Sequence, residues 1–244
     1  MRHPLKTALT ASVLWTRFGI ANANVKAWKN VAVYPDLGLA YNRIKKNANT
    51  TVVMLLREME SGIVESRRGA KRSSRKFLEL YYGQALDLRR TRFFVVVRNP
   101  YSRLLSAFLF RFREEQYRLL HGAFDLSASG FANFFDYLRD GGLTKDAHWD
   151  LQSKLMFLPL AKYDAVVRFE SFKPGMLALL DSVNLAPPDG RLDDLYPADV
   201  NKKTSSTSRL QEFYTAKTAR AVAELFAEDF KALEYSQEFP SVLG

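Results

Sequence analysis

Residues 93–97, Phe-Phe-Val-Val-Val, restrict the fold more than any other stretch of this chain. Five aromatic and β-branched residues in a row have no polar face, so a strand made of them must be covered on both sides. Sheets covered that way are parallel and carry helices on both faces. The run ends in Arg98-Asn99-Pro100, and proline suits the first turn of a helix because its φ is fixed and its missing N–H is not needed there. Residues 101–120 follow with Leu104, Leu105, Phe108 and Phe112 at helical spacing. Strand-like runs at 39–44 and 163–169 extend the alternation. The expectation is an α/β fold with a central parallel sheet flanked by helices. At 244 residues and 47% hydrophobic content, the chain can bury the core of one such domain.

Residues 39–54, LAYNRIKKNANTTVVM, read as a short apolar strand over 39–44, a polar turn over 45–49 and an apolar helix from Thr50. That order points the unpaired N–H groups of a helix start at whatever lies in front of the turn. Lys45 and Lys46 add positive charge. Asn49, Thr50 and Thr51 are helix-capping types whose side chains also bond phosphate oxygens. The stretch suits a compact anion. An ordinary capped helix with two solvated lysines would show the same residues, so taken alone it leaves both readings open.

The formal net charge of +10, from 36 Lys plus Arg against 26 Asp plus Glu, calls for an anionic partner: nucleic acid, a membrane surface, an acidic glycan or a nucleotide. Charge does not choose among them. The absence of cysteine excludes disulfides, thiol nucleophiles and Cys-ligated zinc, and with only His3, His121 and His148 a His-rich metal site is not expected. Residues 7–21 are mildly apolar, interrupted by Arg17 and too short to span a bilayer, and read as a surface or docking helix. Residues 67–76 hold Arg67, Arg68, Lys71, Arg72, Arg75 and Lys76 among Ser and Gly and read as a solvated connection. Residues 131–138 read as a short aromatic helix stopped by Gly141-Gly142, 151–160 as helical, 186–196 as a loop, and 209–233 as one long helix.

Ligands of open parallel sheets sit beyond the carboxyl ends of the strands, where both the 45–51 turn and Arg98 fall. Arg98 at a strand end and Ser106 two turns into the next helix can face one phosphate from the same side. Singly, each has a plainer role, Arg98 as an ion-pair partner and Ser106 as a small packing residue. Together and in chain order, these blocks resemble the sulfotransferases that use 3'-phosphoadenosine 5'-phosphosulfate (PAPS), and among them carbohydrate sulfotransferase family 2. Residues 46–51, KNANTT, resemble that family's 5'-phosphosulfate loop, and residues 97–108, VRNPYSRLLSAF, its 3'-phosphate motif, including the Arg-to-Ser spacing. HWDLQ at 148–152, followed by Tyr163-Asp164 and Phe169-Glu170, is similar to its third landmark. Asn201 and the ending from Glu228-Asp229-Phe230 to Tyr235 are similar as well. The resemblance covers residues 39–236 and implies an N-terminal extension over 1–38, a sulfotransferase domain of P-loop-like fold over 39–236 and a tail over 237–244. Lys45 stands where the family usually has proline before the loop lysine, and Leu151 where it commonly has proline before the glutamine. Neither departure removes a chemical group.

The resemblance also implies roles. Lys46 acts on the bridging and leaving oxygens; Asn47, Ala48, Asn49, Thr50 and Thr51 hold the 5'-phosphate with the helix N–H groups; Arg98 and Ser106 hold the 3'-phosphate; Asn201 joins the cofactor-binding set. His148 is the best-placed proton acceptor, since His3 is terminal and His121 falls in an expected loop. Its plainer role is a structural histidine beside Trp149. Trp149, Glu170 and Lys203 fall on the acceptor side. No metal is needed, because lysine and arginine supply the positive charge. The expected acceptor is a hydroxyl of a carbohydrate or glycolipid, with an acidic one suiting the basic surface. Nucleic acid is not the expected partner, no membrane span is expected although peripheral contact fits, and the expected location is cytoplasmic. A P-loop kinase would share the strand, anion loop and helix, but KKNANTT lacks the glycines and the Gly-Lys-Ser/Thr order of a triphosphate loop. A non-catalytic basic binder of nucleic acid or glycan, using residues 67–76 and Lys202-Lys203, accounts for the charge and not for the motif order.

Overall fold

The computed structural model describes residues 4–19, 23–76, 79–80, 82–196 and 206–240. In chain order the elements are α1 (Pro4–Phe18), β1 (Val31–Tyr34), β2 (Leu39–Asn42), α2 (Asn49–Ser61), α3 (Arg67–Ser73), β3 (Arg75–Lys76), α4 (Tyr82–Asp87), β4 (Arg92–Val97), α5 (Pro100–Arg111), α6 (Glu115–His121), α7 (Ala128–Tyr137), α8 (Gln152–Leu155), β5 (Ala165–Arg168), α9 (Phe172–Asp181), α10 (Arg191–Leu195), α11 (Leu210–Phe213), α12 (Ala216–Leu225) and α13 (Ala227–Ala232). Where composition suggested one domain, the chain forms two compact bodies, Met1–Val97 with Lys154–Pro197, and Arg98–Ser153 with Ala198–Gly244.

The first body carries a five-stranded sheet in the order β3-β1-β2-β4-β5. Its centre is parallel as expected: β2 pairs with β4 and β4 with β5. The sheet as a whole is mixed, because β1 runs antiparallel to both β2 and β3. A short turn at Pro35–Leu37 makes the β1–β2 reversal, with Gly38 at φ 62 supplying the left-handed residue it needs. Every residue of β1 is buried, so a domain start at residue 39 comes too late: the VAVY run belongs to the sheet. The FFVVV run behaves as a strand covered on both faces. Phe94 and Val96 pack with Val52, Leu56 and Met176 on one side, while Phe93 meets Phe18 of α1 edge-on at 5.0 Å on the other. The 67–76 region is not a bare connection. It folds as α3, capped by Ser66 accepting from the Gly69 N–H, and then as the edge strand β3.

The second body is helical around an aromatic core that includes Phe108, Phe112, Phe131, Phe134, Trp149 and Phe213, all essentially buried. The helix expected over 101–120 breaks into α5 and α6, and the one expected over 209–233 breaks into α11, α12 and α13, where Thr215 starts α12 by accepting from the Thr218 N–H. Both expected helices contain the right apolar spacing, and spacing alone does not reveal the caps that interrupt them. Residues 237–239 are not a free tail, since Tyr101 donates its hydroxyl to the Gln237 carbonyl at 2.7 Å and packs edge-on against Phe239.

Candidate functional site

In the first body the chain leaves β2 at Asn42, whose buried amide accepts from the Phe157 N–H at 2.6 Å and the Tyr163 hydroxyl at 2.7 Å. It then turns through Lys46 at φ 70 and Ala48 at φ 52, both in the left-handed region that residues with a Cβ rarely adopt. Each such residue costs about 1–3 kcal/mol, so the turn must be held by its surroundings. Asn47 does this: it is fully buried and donates its side-chain amide to the Val96 carbonyl of β4 at 2.8 Å. Asn47 thus points into the protein and pins the turn from behind. The first residue of α2 is Asn49, one earlier than the expected Thr50, and the cap is Ala48 with no side-chain capping bond. The expected caps are used otherwise. Asn49 accepts from Nε of Arg43 at 3.2 Å, Thr51 donates to the Leu195 carbonyl at 3.3 Å, and the Thr50 hydroxyl has no hydrogen-bond partner among the described residues. The helix start thus has no side-chain cap, and the positive partial charge of its N–H groups suits an anion. Arg43 adds a third cation that the sequence pattern did not single out.

Because β2, β4 and β5 are parallel, their carboxyl ends share one edge of the sheet. Glu170 lies on that edge, exposed, in the single turn of 3-10 helix (Phe169–Ser171) that follows β5. Two strand spacings, roughly 10 Å, separate β2 from β5.

In the second body Arg98 is buried, with 3% of its surface exposed, and its guanidinium donates to Oγ of Ser102 at 3.0 Å and Oγ of Ser206 at 2.7 Å. Ser106, equally buried, follows Ser102 by four residues on the same face of α5. The hydroxyls bonded to Arg98 are thus those of Ser102 and Ser206, with Ser106 buried one turn beyond Ser102. Gln152 holds the main chain at Arg98 in both directions, accepting from its N–H at 3.1 Å and donating to its carbonyl at 2.8 Å. Asp229 in turn accepts the N–H groups of Gln152 and Ser153, each at 2.8 Å. Arg103, buried one helical turn beyond Asn99, donates to the carbonyls of Asp150 at 2.8 Å and Ala147 at 3.2 Å. Burial pushes the Arg103 guanidinium down to about 10, against the opposing charges of Asp229 and Asp150, so it stays cationic at neutral pH. Burial likewise raises the Asp229 carboxyl, with Arg103 and the two N–H bonds pulling the other way.

His148 stands on the strap that Arg103 holds. Its Nδ1 lies 2.5 Å from Oδ1 of Asp146, and its Nε2 lies 2.7 Å from a terminal nitrogen of Arg111. The same Arg111 nitrogen also lies 3.3 Å from Nδ1, so it meets the ring from its face, and the tautomer is set by Asp146: an ionised carboxylate only accepts, so Nδ1 donates to it and Nε2 of the neutral ring carries no proton. Burial opposes ionisation of Asp146, but bonds from His148 and from the Tyr117 hydroxyl outweigh it and hold the carboxyl well below the usual range. Trp149 does not sit on the acceptor side. It is fully buried, donates Nε1–H to the Gly142 carbonyl at 3.0 Å and stacks near Phe112, so it anchors the segment that presents His148. Asn201 and Lys203 lie outside the described residues.

Several contributors were missed by sequence reasoning. Ser102 was findable, since it sits four residues from both Arg98 and Ser106. Ser206 and Asp229 carry no local signal, being 108 and 77 residues from the groups they bond. Asp146 and Arg111 look like ordinary surface charges in the sequence.

The α/β fold thus carries a cationic helix start in one body and a buried, serine-bonded arginine in the other. The sequence matches the profile of the sulfotransferase family over residues 29–236, and the chain belongs to that family, of the family 2 type its motifs indicate. The match opens just ahead of β1, in agreement with the place of that strand in the sheet. No curated protein and no solved structure gives a significant match. The protein is thus a transferase of sulfuryl groups.

Proposed function

We propose that this chain transfers the sulfuryl group of PAPS to a hydroxyl of a carbohydrate or glycoconjugate. The observation that carries the reading is buried Arg98, its guanidinium bonded to the hydroxyls of Ser102 and Ser206 with Ser106 one turn beyond Ser102, a donor set whose chemistry fits a phosphate. PAPS supplies an activated sulfuryl group when bound. Arg98 and Ser106, with the two added serines, take the 3'-phosphate; Lys46, Thr50 and the α2 N–H groups take the 5' end, with Asn47 fixing the turn from behind. Lys46 neutralises charge that builds on the leaving oxygen, which is where positive charge lowers the barrier. His148 takes the acceptor's proton on Nε2, with Asp146 setting the tautomer. Glu170 orients the acceptor from the end of β5, and Asn201 and Lys203 keep the donor- and acceptor-side roles their motif implies. No helix among the described residues is long and apolar enough to cross a membrane.

Incubation with PAPS bearing labelled sulfate and a panel of glycan, glycolipid and small hydroxylated acceptors, with mass analysis of products, tests the reading. Label on a glycan hydroxyl supports it. Protection against heating by magnesium ATP but not by 3'-phosphoadenosine 5'-phosphate would favour a kinase instead.

A further inference from the structure

The basic run over residues 67–76 takes no part in the transfer reading, yet the fold gives it a definite face. α3 turns its small residues inward: Ala70 is buried in the core of the first body, and Gly69 and Ser73 are half-buried. At the helical period, Arg67, Lys71, Arg68 and Arg72 then fall side by side on the opposite arc. Arg67, Arg68 and Arg72 are exposed and have no hydrogen-bond or ion-pair partner among the described residues. The acids just ahead of them in the chain are committed to other groups. Glu58 accepts from Nε of Arg191 at 2.6 Å, Glu60 from a terminal nitrogen of Arg57 at 2.5 Å, and Glu65 from Arg57 at 3.1 Å and the Ser73 hydroxyl at 2.9 Å. The bonds of Glu65 also pin the loop that joins α2 to α3, which turns at Gly62 with φ 68. Just outside that anchor, Ile63 and Val64 stand 63% and 65% exposed, two aliphatic side chains held in water beside a cationic helix.

We propose that residues 62–72 are a docking surface for an anionic lipid bilayer: Ile63 and Val64 enter the headgroup boundary, and the cations of α3 pair with lipid phosphates. The inference stands apart from the sulfuryl-transfer reading, since none of these residues belongs to either anion region. Charge complementarity calls for a negative partner, and the aliphatic pair says which kind. Nucleic acid offers phosphates but nothing that would bury Ile63 and Val64, and single strands are gripped by stacking on aromatic side chains instead. A protein partner would need a broader apolar centre than two side chains. A bilayer boundary takes both parts at once, because apolar side chains gain by leaving water there and each cation near an anionic leaflet adds its own attraction. With so few apolar groups, the contact is shallow and reversible.

The test is flotation with vesicles of phosphatidylcholine alone and with vesicles of equal parts phosphatidylcholine and phosphatidylglycerol. Wild type should float with the anionic vesicles only, and added salt should release it. Arg67→Gln combined with Arg72→Gln should weaken binding by about 25-fold, about fivefold for each cation. Ile63→Ser combined with Val64→Ser should weaken it by about tenfold. All four side chains are exposed, so denaturation midpoints should stay at the wild-type value. A second measurement keeps every charge in place. The chain has no cysteine, so Val64→Cys gives a single site for an environment-sensitive dye. Its emission should move to shorter wavelength on anionic vesicles, and not on neutral vesicles or with heparin. Absence of flotation with anionic vesicles, equal flotation with both kinds, binding untouched by the arginine pair, or a dye that keeps its aqueous emission on anionic vesicles overturns the proposal. Retention on DNA or heparin that falls with the arginine pair, while the dye stays aqueous on vesicles, overturns it too and assigns α3 to a soluble polyanion.

Discussion

The two regions proposed to hold anions are built from different materials. The turn over residues 43–48 uses backbone: two left-handed residues, an uncapped helix start and a buried asparagine that holds the strain. The region around Arg98 uses side chains, with Ser102 and Ser206 on the guanidinium and the chain Gln152–Asp229 locking its main chain. A backbone site places dipoles where leaving-group charge grows, and its N–H groups need no ordering when that charge appears. A buried side-chain site depends on every partner being present, since one missing partner strands a polar group away from water. The first arrangement suits chemistry and the second suits holding.

The largest expected effect tests the second region. Asp229→Ala leaves Arg103 and two buried N–H groups without their carboxylate, which should cost about 3–5 kcal/mol, read by urea denaturation. Protection by 3'-phosphoadenosine 5'-phosphate should fall with it, because Gln152 positions Arg98. Unaltered protection in a variant that still folds would show that the network does not serve Arg98.

Lys46→Ala should lower kcat by about 10²–10³ while leaving donor affinity nearly unchanged, as expected for charge placed on a leaving group. Arg98→Gln should do the reverse, weakening binding of 3'-phosphoadenosine 5'-phosphate by about 10- to 150-fold, the equivalent of about 1.5–3 kcal/mol. Calorimetry and initial rates on both variants decide whether the division between chemistry and holding is real. If both lose kcat and affinity alike, the division fails.

Part of the second region was legible from spacing: Ser106 falls eight positions after Arg98, which stands just ahead of the helix, and proline announces where that helix starts. Ser206 and Asp229 were not legible, since their partners are brought together only by tertiary folding. In the first region the charges of Lys45 and Lys46 were plain, but the shape was not. No pattern in KKNANTT announces that Lys46 and Ala48 are left-handed, or that Asn47 faces inward, because nothing local favours those conformations; the Val96 carbonyl on β4 does. Val31–Tyr34 was overlooked for a similar reason, as four apolar residues do not separate an edge-side antiparallel strand from a linker.

Acidification should reach the helical body in two stages. Burial lowers the His121 pKa against the pull of Asp146, so His121 stabilises the fold fully above its unfolded value of 6.5, and that contribution is lost as pH falls through the lower folded value. Asp146, held below 3.8 mainly by His148 and Tyr117 despite burial, contributes fully above that value and loses it as pH falls further. Denaturation midpoints at pH 7, 5.5 and 3.5 should therefore decline, and His121→Gln should flatten the first decline alone. The same decline in His121→Gln as in wild type would move the first stage to another group.

The smallest effect is the sharpest probe of the backbone site. Ala48→Gly relieves a left-handed residue that carries a Cβ, yet it also frees the unfolded chain, and the two terms nearly cancel, leaving stability within about 0.5 kcal/mol of wild type. Binding need not cancel in the same way. If the turn is held ready for an anion, added backbone freedom at Ala48 must be frozen out when the ligand arrives, at about 0.5–1 kcal/mol. Affinity for 3'-phosphoadenosine 5'-phosphate would then drop by about two- to fivefold with no matching loss of stability. Equal affinity in Ala48→Gly would mean that the strain at Lys46 and Ala48 serves only the route of the chain from β2 into α2, and the contrast between the two regions would rest on Arg98 alone.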